Sequence, residues 1–438
     1  VRPAKKQHAR AKPKADPPTL WARIKAHPIA RVGPGLITGV ADDDPSGIAT
    51  YSQAGAQFGL NMLWTLPLCY PLMSAVQSMC GRIGRVTGKG LAANIKTTFH
   101  PVVVLAVVLL LLIANVLNIA ADIAAMGEVA RLVTGINQRI MTLVFVMATL
   151  GLQIFVPYHR YVDFLKWLTL SLLTYGAVLF VVHVPWGTVA LTTLMPHFTV
   201  NAASAAMVVA IFGTTISPYL FFWQSSEEVE DMGRNGGRPL ARTAKTLAVS
   251  ELRRIKWDTW SGMLYSNIAA YFIVLATAVT LHVAGVTNIN TAAQAASALQ
   301  PVAGRFAFWL FALGILGVGM IGVPVLSGSA AYAVAEVMNW RQGLEQRARD
   351  ARGFYGVIAV SVLLALVIQF SPINPMKALV WSAVINGVVA VPLMAVIILL
   401  ASKKSVMGAF TASRSLIILG WIATFMMGAA AVWMVIPA

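Results

Sequence analysis

The chain has 438 residues, of which 58% are hydrophobic and only 11% charged, against roughly 25% charged in an ordinary soluble domain. Runs such as "PVVVLAVVLLLLIANVLNIAA" (Pro101 to Ala121) and "LIILGWIATFMMGAAAVWMVI" (Leu416 to Ile436) have the length, about 20 apolar residues, that carries a helix across a bilayer. They exclude a soluble globular chain, and the lack of short alternating segments excludes a membrane barrel.

In chain order, residues 1–31 form a basic tail that includes "AKKQHARAKPKA", and residues 32–438 form an all-α polytopic membrane domain. Eleven transmembrane helices are expected near 34–58, 60–82, 101–133, 138–157, 163–185, 201–226, 257–283, 303–338, 354–371, 375–401 and 414–436. The eighth is long enough to tilt or to include an interfacial turn. The net charge of +17 does not point to nucleic acid, because it is distributed by side of the membrane. With the tail in the cytoplasm, all but four of the 33 Lys and Arg fall on the tail or on cytoplasmic loops; Arg131, Arg139, Arg305 and Lys377 are the exceptions. This positive-inside pattern predicts an integral plasma (inner) membrane protein with a cytoplasmic N-terminus and an extracytoplasmic C-terminus. The tail reads as a lipid-facing segment, and no cleavable signal peptide is expected. The partners implied are the bilayer and a small solute, with no nucleic acid and no obligatory protein partner.

Cys69 and Cys80 are eleven residues apart on helix 2, about 16 Å of rise, too far for a disulfide. No Cys/His metal motif is present, and no cofactor is implied. Acids at bilayer depth are expensive and rarely accidental, so the 16 acids carry most of the functional information. Helix 1 contains "ADDDPSGIAT", with Asp42, Asp43 and Asp44 just before Pro45. The proline removes a backbone donor and Gly47 favours unwinding, so helix 1 is expected to break there. Helix 3 carries Asp122 and Glu128, the latter expected to pair with Arg131 at i+3. Helix 6 has a second break at Ser217, Pro218 and Tyr219. The run "EEVED" (Glu227 to Asp231) ends that helix; most such runs are solvated helix ends, the alternative being attraction or release of cations at the path's cytoplasmic mouth.

A lone proline in a membrane helix usually makes only a kink. Two breaks five helices apart are what two inverted five-helix repeats produce, here about 34–185 and 201–401, with an eleventh helix near 414–436. In such folds the solute site lies where the breaks face each other, because unwound backbone is tolerated there only if it lines a cavity. Within the acidic triplet, neighbouring side chains project in different directions. Asp44 is the expected ligand, and Asp42 and Asp43 are expected in the access vestibule or protonated.

At these residues the sequence resembles the Nramp family of divalent-metal transporters. "GPGLITGVADDDPSGIATYSQAGAQFG" (Gly33 to Gly59) is similar to the family's helix 1 and places Gln53 on the access path. "QSMCGRIGRVTGKGLA" (Gln77 to Ala92) is similar to the end of helix 2 and the next loop. The resemblance implies the LeuT-type inverted-repeat fold. The departures are informative. The family's Asp-Pro-Gly-Asn reads Asp44-Pro45-Ser46-Gly47 here, so the carboxylate is kept and the amide is lost. The family's Met-Pro-His on helix 6 reads Ser217-Pro218-Tyr219, with Thr214 preceding. The family's Glu and Asp on helix 3 fall on Asn115 and Asp122. Asn386, on helix 10, falls at about the family's glutamine.

Methionine sulfur favours softer transition metals. Its replacement by Ser217 relaxes discrimination against Mg²⁺, which takes six oxygens and gives up water reluctantly. Asp44, Gly47, Thr214, Ser217 and Asn386 are the expected cation site, with Asp42, Asp43, Gln53, Asp122 and Tyr219 along the path or behind the site. Asn115 and Tyr219 do not titrate near neutral pH, so the expected activity is import of Mg²⁺, and of Mn²⁺, as transported substrate without proton coupling. The competing readings are a proton-coupled Mn²⁺/Fe²⁺ symporter and an organic-solute transporter of the same fold, whose carboxylate substrate Asp44 would repel. An intramembrane aspartyl protease using Asp44 and Asp122 would leave the helix 6 break unexplained, so the chain is not read as an enzyme.

Overall fold

In a computed structural model of the chain, the structure describes residues 34–157, 168–196, 201–234, 236–242, 245–369 and 374–435. The expected tail lies outside these residues. Helix 1 is split into α1 (Pro34–Asp42) and α2 (Pro45–Phe58). Then come α3 (Thr65–Thr87), closed by Gly88 in the left-handed region, and the short α4 (Leu91–Thr98). α5 (Pro101–Thr134) starts on a proline, whose missing N–H costs nothing at a helix start, and stops at left-handed Gly135. α6 (Gln138–Phe155) follows.

The expected span 163–185 begins in residues outside the described ones. Its described part is a 3₁₀ stretch over Leu168–Leu173 followed by α7 (Thr174–Val178) and turns, rather than one long helix. α8 (Trp186–Leu194) leads to the second broken helix, α9 (Ala202–Thr215) and α10 (Pro218–Arg234). α9 opens on a capping box in which Asn201 and Ser204 satisfy each other's backbone amides. α11 (Lys245–Thr277) continues as a π turn to His282 and starts well before the expected residue 257.

α12 (Ala292–Ser297) and α13 (Gln300–Ala303) precede a turn at Gly304, and α14 (Ala307–Met338) carries the long eighth span beyond it. α15 (Arg352–Ile368), α16 (Pro375–Ser402), α17 (Lys404–Met407) and α18 (Arg414–Val435) complete the chain.

Among the described residues, seven segments are long and apolar enough to cross a membrane, with α15 a shorter apolar helix. The other expected spans fall outside this set for separate reasons. The helix 1 break leaves two short pieces, α3 carries Arg82 and Arg85 in its last turns, and the fifth span is only partly described.

Burial orders the helices. Of the most apolar stretch in α9–α10, 83% is buried, against 17% in α18, so the broken helix is central and the last helix is peripheral. α5 changes character along its length. Val102, Leu105, Leu109 and Ile113 are exposed, whereas nearly everything from Ile119 to Ala130 is buried. Exposed apolar side chains on such a helix face lipid. α1 and α2 both pack on α11, α9 on α16, and α5 on α14 and α16. The α1–α11 crossing depends on two glycines. A Cβ on Gly39 would stand 2.2 Å from the backbone of Gly262, so the two backbones touch. Gly39→Val should destabilise the protein by about 3 kcal/mol through overpacking, read as a lower thermal midpoint in detergent.

Candidate functional site

The site is built from the two helix breaks. α1 ends at Asp42, and the backbone of Asp44 is extended (φ −68°, ψ 171°) before α2 begins at Pro45. Asp44 is therefore the N-cap of α2. One carboxylate oxygen accepts from the Gly47 amide at 2.8 Å and from the Ser46 hydroxyl at 2.9 Å. A carboxylate at a helix N-terminus meets unpaired amides and the positive end of the helix dipole. The other oxygen accepts from the Asn118 amide on α5 at 3.1 Å and from the Tyr219 hydroxyl on α10 at 3.2 Å. Tyr219 also reaches Ala41 O, on the last turn of α1, at 3.1 Å. Asp44 is thus held by the second half of helix 1, by α5 and by helix 6, while only 1% exposed.

Ile216 and Ser217 form the second break, and Pro218 starts α10. The Ser217 hydroxyl turns back to Gly213 O (2.8 Å) and Thr214 O (2.6 Å). Its proton is spent on the broken end of α9, and its oxygen remains an acceptor. Thr214 is buried with its hydroxyl unpartnered, and a Cβ on Gly47 would stand 3.2 Å from that oxygen. The two breaks therefore meet at Gly47 and Thr214. Asn386, on α16, is fully buried with both amide atoms unpartnered, and it hydrogen-bonds to none of these residues.

Asp42 and Asp43, expected in the access vestibule or protonated, do not open to solvent in this structure. Both are fully buried against α11, where the Ser266 hydroxyl lies 2.5 Å from Asp42 and 3.0 Å from Asp43. The end of α1 turns them away from Asp44 toward that helix. One hydroxyl carries one proton, so it can donate to only one of these oxygens. Asp122, on α5, is fully buried beside the same break: a Cβ on Gly322 of α14 would touch Asp44 Cβ (3.3 Å) and Asp122 Oδ2 (3.9 Å). Asn115, two turns earlier, is tied to α14 through Leu326 O and Ser329, both at 2.8 Å. Among the described residues, no Lys, Arg or His forms an ion pair with Asp42, Asp43, Asp44 or Asp122. Four carboxyl groups therefore share one buried region without a basic partner.

The arrangement matches known proteins at the level of the whole chain. Residues 35–437 match the family model described as "Natural resistance-associated macrophage protein-like" (Nramp). The chain belongs to the Nramp family. Relatives include a protein of Acidiphilium cryptum (strain JF-5) named "Divalent metal cation transporter MntH", 27% identical over 87% of this chain and 84% of its own length. A protein of the same name from Klebsiella pneumoniae (strain 342) is 24% identical over 90% and 91%. Among solved structures, the Eremococcus coleocola manganese transporter superposes with a TM-score of 0.71 at 16% identity, over 92% of this chain and 85% of that one. Mhp1, a nucleobase-cation-symport-1 family transporter, superposes with a TM-score of 0.56 at 12% identity, over 92% and 93%. At these identities the superpositions show a shared fold, the LeuT-type fold.

In this Nramp-family chain the acidic run ending helix 6 is not a solvated helix end. Glu228 is fully buried and pairs with Arg254 of α11 at 2.7 Å. Asp231 and Glu251 both hold Arg85 of α3, at 3.3 and 2.8 Å. Glu230 bonds Tyr332 and the Leu344 amide. Asp258 accepts from the amides of Gly35 and Leu36, at 2.7 and 3.3 Å, and so caps α1. Together these bonds tie α1, α3, α10, α11 and α14 at the end of the bundle that carries the α1 N-terminus. Glu128 also departs from expectation: it accepts from the Ala292 amide at 2.9 Å, capping α12, and forms no ion pair with Arg131.

Gln53 ties α2 to the 287–289 loop through Thr287 O (3.1 Å) and the Ile289 amide (2.9 Å). It lines a cavity of about 370 Å³ with Asn288, Asn290, Lys377 and Trp381. Sequence reasoning missed Asn118, Ser266 and Ser382. The available signal was a polar residue one helical turn before Asp122, on the same face of α5.

Arg254→Gln would leave Glu228 buried without its cation. Breaking a buried pair in this way should cost about 3 kcal/mol, seen as a lower midpoint on thermal unfolding, whereas Lys256→Gln on the exposed side of α11 should change little.

Proposed function

We propose that this Nramp-family chain carries divalent metal cations across the plasma membrane by alternating access, importing Mg²⁺ and Mn²⁺ down their electrochemical gradient without coupled proton movement. The observation that carries the reading is the group of four buried carboxyl groups at the helix breaks with no basic partner among the described residues. Such a region repels anions and favours a multivalent cation. Asp44 is the proposed charged ligand. Thr214 and Ser217 add hydroxyl oxygens, the uncoiled backbone adds carbonyls, Gly47 leaves room for the ion's own water, and Asn386 forms a wall.

All of these donors are hard oxygens, which suits Mg²⁺ and Mn²⁺ and gives no advantage to softer metals. Two titratable positions of the family are here the amide of Asn115 and the phenol of Tyr219, and both are committed to hydrogen bonds. A divalent cation gains about 4–5 kcal/mol per 100 mV of inside-negative potential, so uptake needs no second ion. The eleven-span topology with a cytoplasmic N-terminus belongs to the same proposal. The network around Arg254 and Asp258 would then close the cytoplasmic side and part when α1 swings open.

A second reading, a proton-coupled manganese importer, is favoured by the relatives' names and by Asp122 beside the site. One experiment separates them: uptake into proteoliposomes with an imposed potential and a pH dye inside. The proposal predicts potential-driven entry of Mg²⁺ and Mn²⁺ without acidification, abolished in Asp44→Ala. Exclusion of Mg²⁺ together with acidification during Mn²⁺ entry would overturn it in favour of the coupled reading.

A further inference from the structure

Asn118 is the neutral side chain that touches Asp44 from α5 and whose two bonds can exchange roles. It is fully buried, and its amide bridges two elements: Nδ2 donates to Asp44 at 3.1 Å, and Oδ1 accepts from Ser382 of α16 at 2.9 Å. Ser382 also donates to Leu379 O at 2.8 Å. A serine hydroxyl has a single proton, and Leu379 O lies inside α16, where it also accepts the helix's own i+4 amide, so Ser382 can give its proton to either oxygen and leave neither side of the helix short.

Turning the amide by half a revolution reverses both of its bonds and keeps the Ser382 side paired. Nδ2 then donates to the Ser382 oxygen, Ser382 donates to Leu379 O, and every group on that side is satisfied. The cost appears on the other side, where Oδ1 now faces Asp44 Oδ2 across about 3.1 Å. Two oxygens at that separation repel each other unless a cation lies between them. Two adjacent oxygen ligands on an octahedral Mg²⁺, bound at about 2.0–2.1 Å, stand about 2.9 Å apart. The gap is therefore close to one edge of such a coordination shell.

We propose that Asn118 is a cation ligand with two positions: a donor that holds Asp44 when the site is empty, and a carbonyl ligand beside Asp44 when the ion is bound. Helix 3 thereby supplies the amide oxygen that the helix 1 motif lacks at Gly47. Asn118 stands one helical turn from Asp122, so α5 presents both groups to the same break. Ser382 acts as the positioning residue, because it receives the turned N–H. This inference rests on the divalent-cation reading above and adds the residue that sets the shell.

The test is calorimetric binding of Mn²⁺, and separately of Mg²⁺, to the purified full chain, with thermal unfolding as a control for folding. Asp44→Ala should abolish binding. Asn118→Ala should weaken it about tenfold. Asn118→Asp keeps an oxygen where the ion sits but cannot donate to Asp44, so it should bind at least as tightly as wild type. Ser382→Ala should weaken binding by less than Asn118→Ala does, and should add nothing in the Asn118→Ala background.

Binding by Asn118→Ala within about twofold of wild type would overturn the proposal, as would an Asn118→Asp variant as weak as Asn118→Ala. If the Asn118 variants do not fold, Ser382→Ala decides, and unchanged affinity there overturns it. Wild-type protein that binds neither metal, or an Asp44→Ala variant that binds like wild type, would instead show that the divalent-cation reading has failed, and the ligand assignment with it.

Discussion

A carboxylate inside an apolar bundle must find something to replace its water. That constraint organises this molecule. Asp44 finds a helix N-terminus, two hydroxyls and an amide, but only because helix 1 stops at Asp42 and restarts at Pro45. The break in turn depends on neighbours. Tyr219 reaches across from helix 6 to both Asp44 and the last turn of α1, and α5 brings Asn118 from a third direction. The close crossing of Gly39 and Gly262 lets α1 lie flat on α11, which puts Asp42 and Asp43 against Ser266 rather than against Asp44.

The two ends of the molecule use charge differently. Near the breaks, acids stand without bases, which leaves a demand for a cation. At the α1 N-terminus, Glu228, Asp231 and Glu251 pair with Arg85 and Arg254 in a network that spans several helices. Breaking a matched network costs energy but creates no binding site, so it suits a closure. An unmatched cluster suits a site whose missing charge arrives from outside. Both belong to an Nramp-family chain of LeuT-type fold, a family here supported by a match over residues 35–437.

Much of this was legible in the sequence because proline and aspartate are loud inside membrane helices. Pro45 and Pro218 marked both breaks, and Asp44 before Pro45 stood out as the expected ligand, though its role as the cap of α2 came only with the structure. The meeting of Gly47 with Thr214 followed from facing the two breaks. What stayed hidden was carried by quiet residues. Ser266 and Ser382 are neutral polar side chains in apolar helices whose spacing names no partner, and Asn118, although one turn before Asp122, reads equally as a packing contact until α2 is placed beside it. The partner of Asp42 and Asp43 was not legible, because it depends on where α1 unwinds and on Ser266 of α11 beyond it. The acidic run was misjudged because its arginine partners, Arg85 and Arg254, lie far away in the chain.

The central claim is that the two helix breaks form one cation site around Asp44. The most direct measurement is anomalous diffraction from crystals of the full chain grown with Mn²⁺. The account predicts a strong peak within bonding distance of the Asp44 carboxylate, on the side facing Thr214. A peak beside Asp42, Asp43 and Ser266 instead, or a well-occupied crystal with density at neither break, would contradict it.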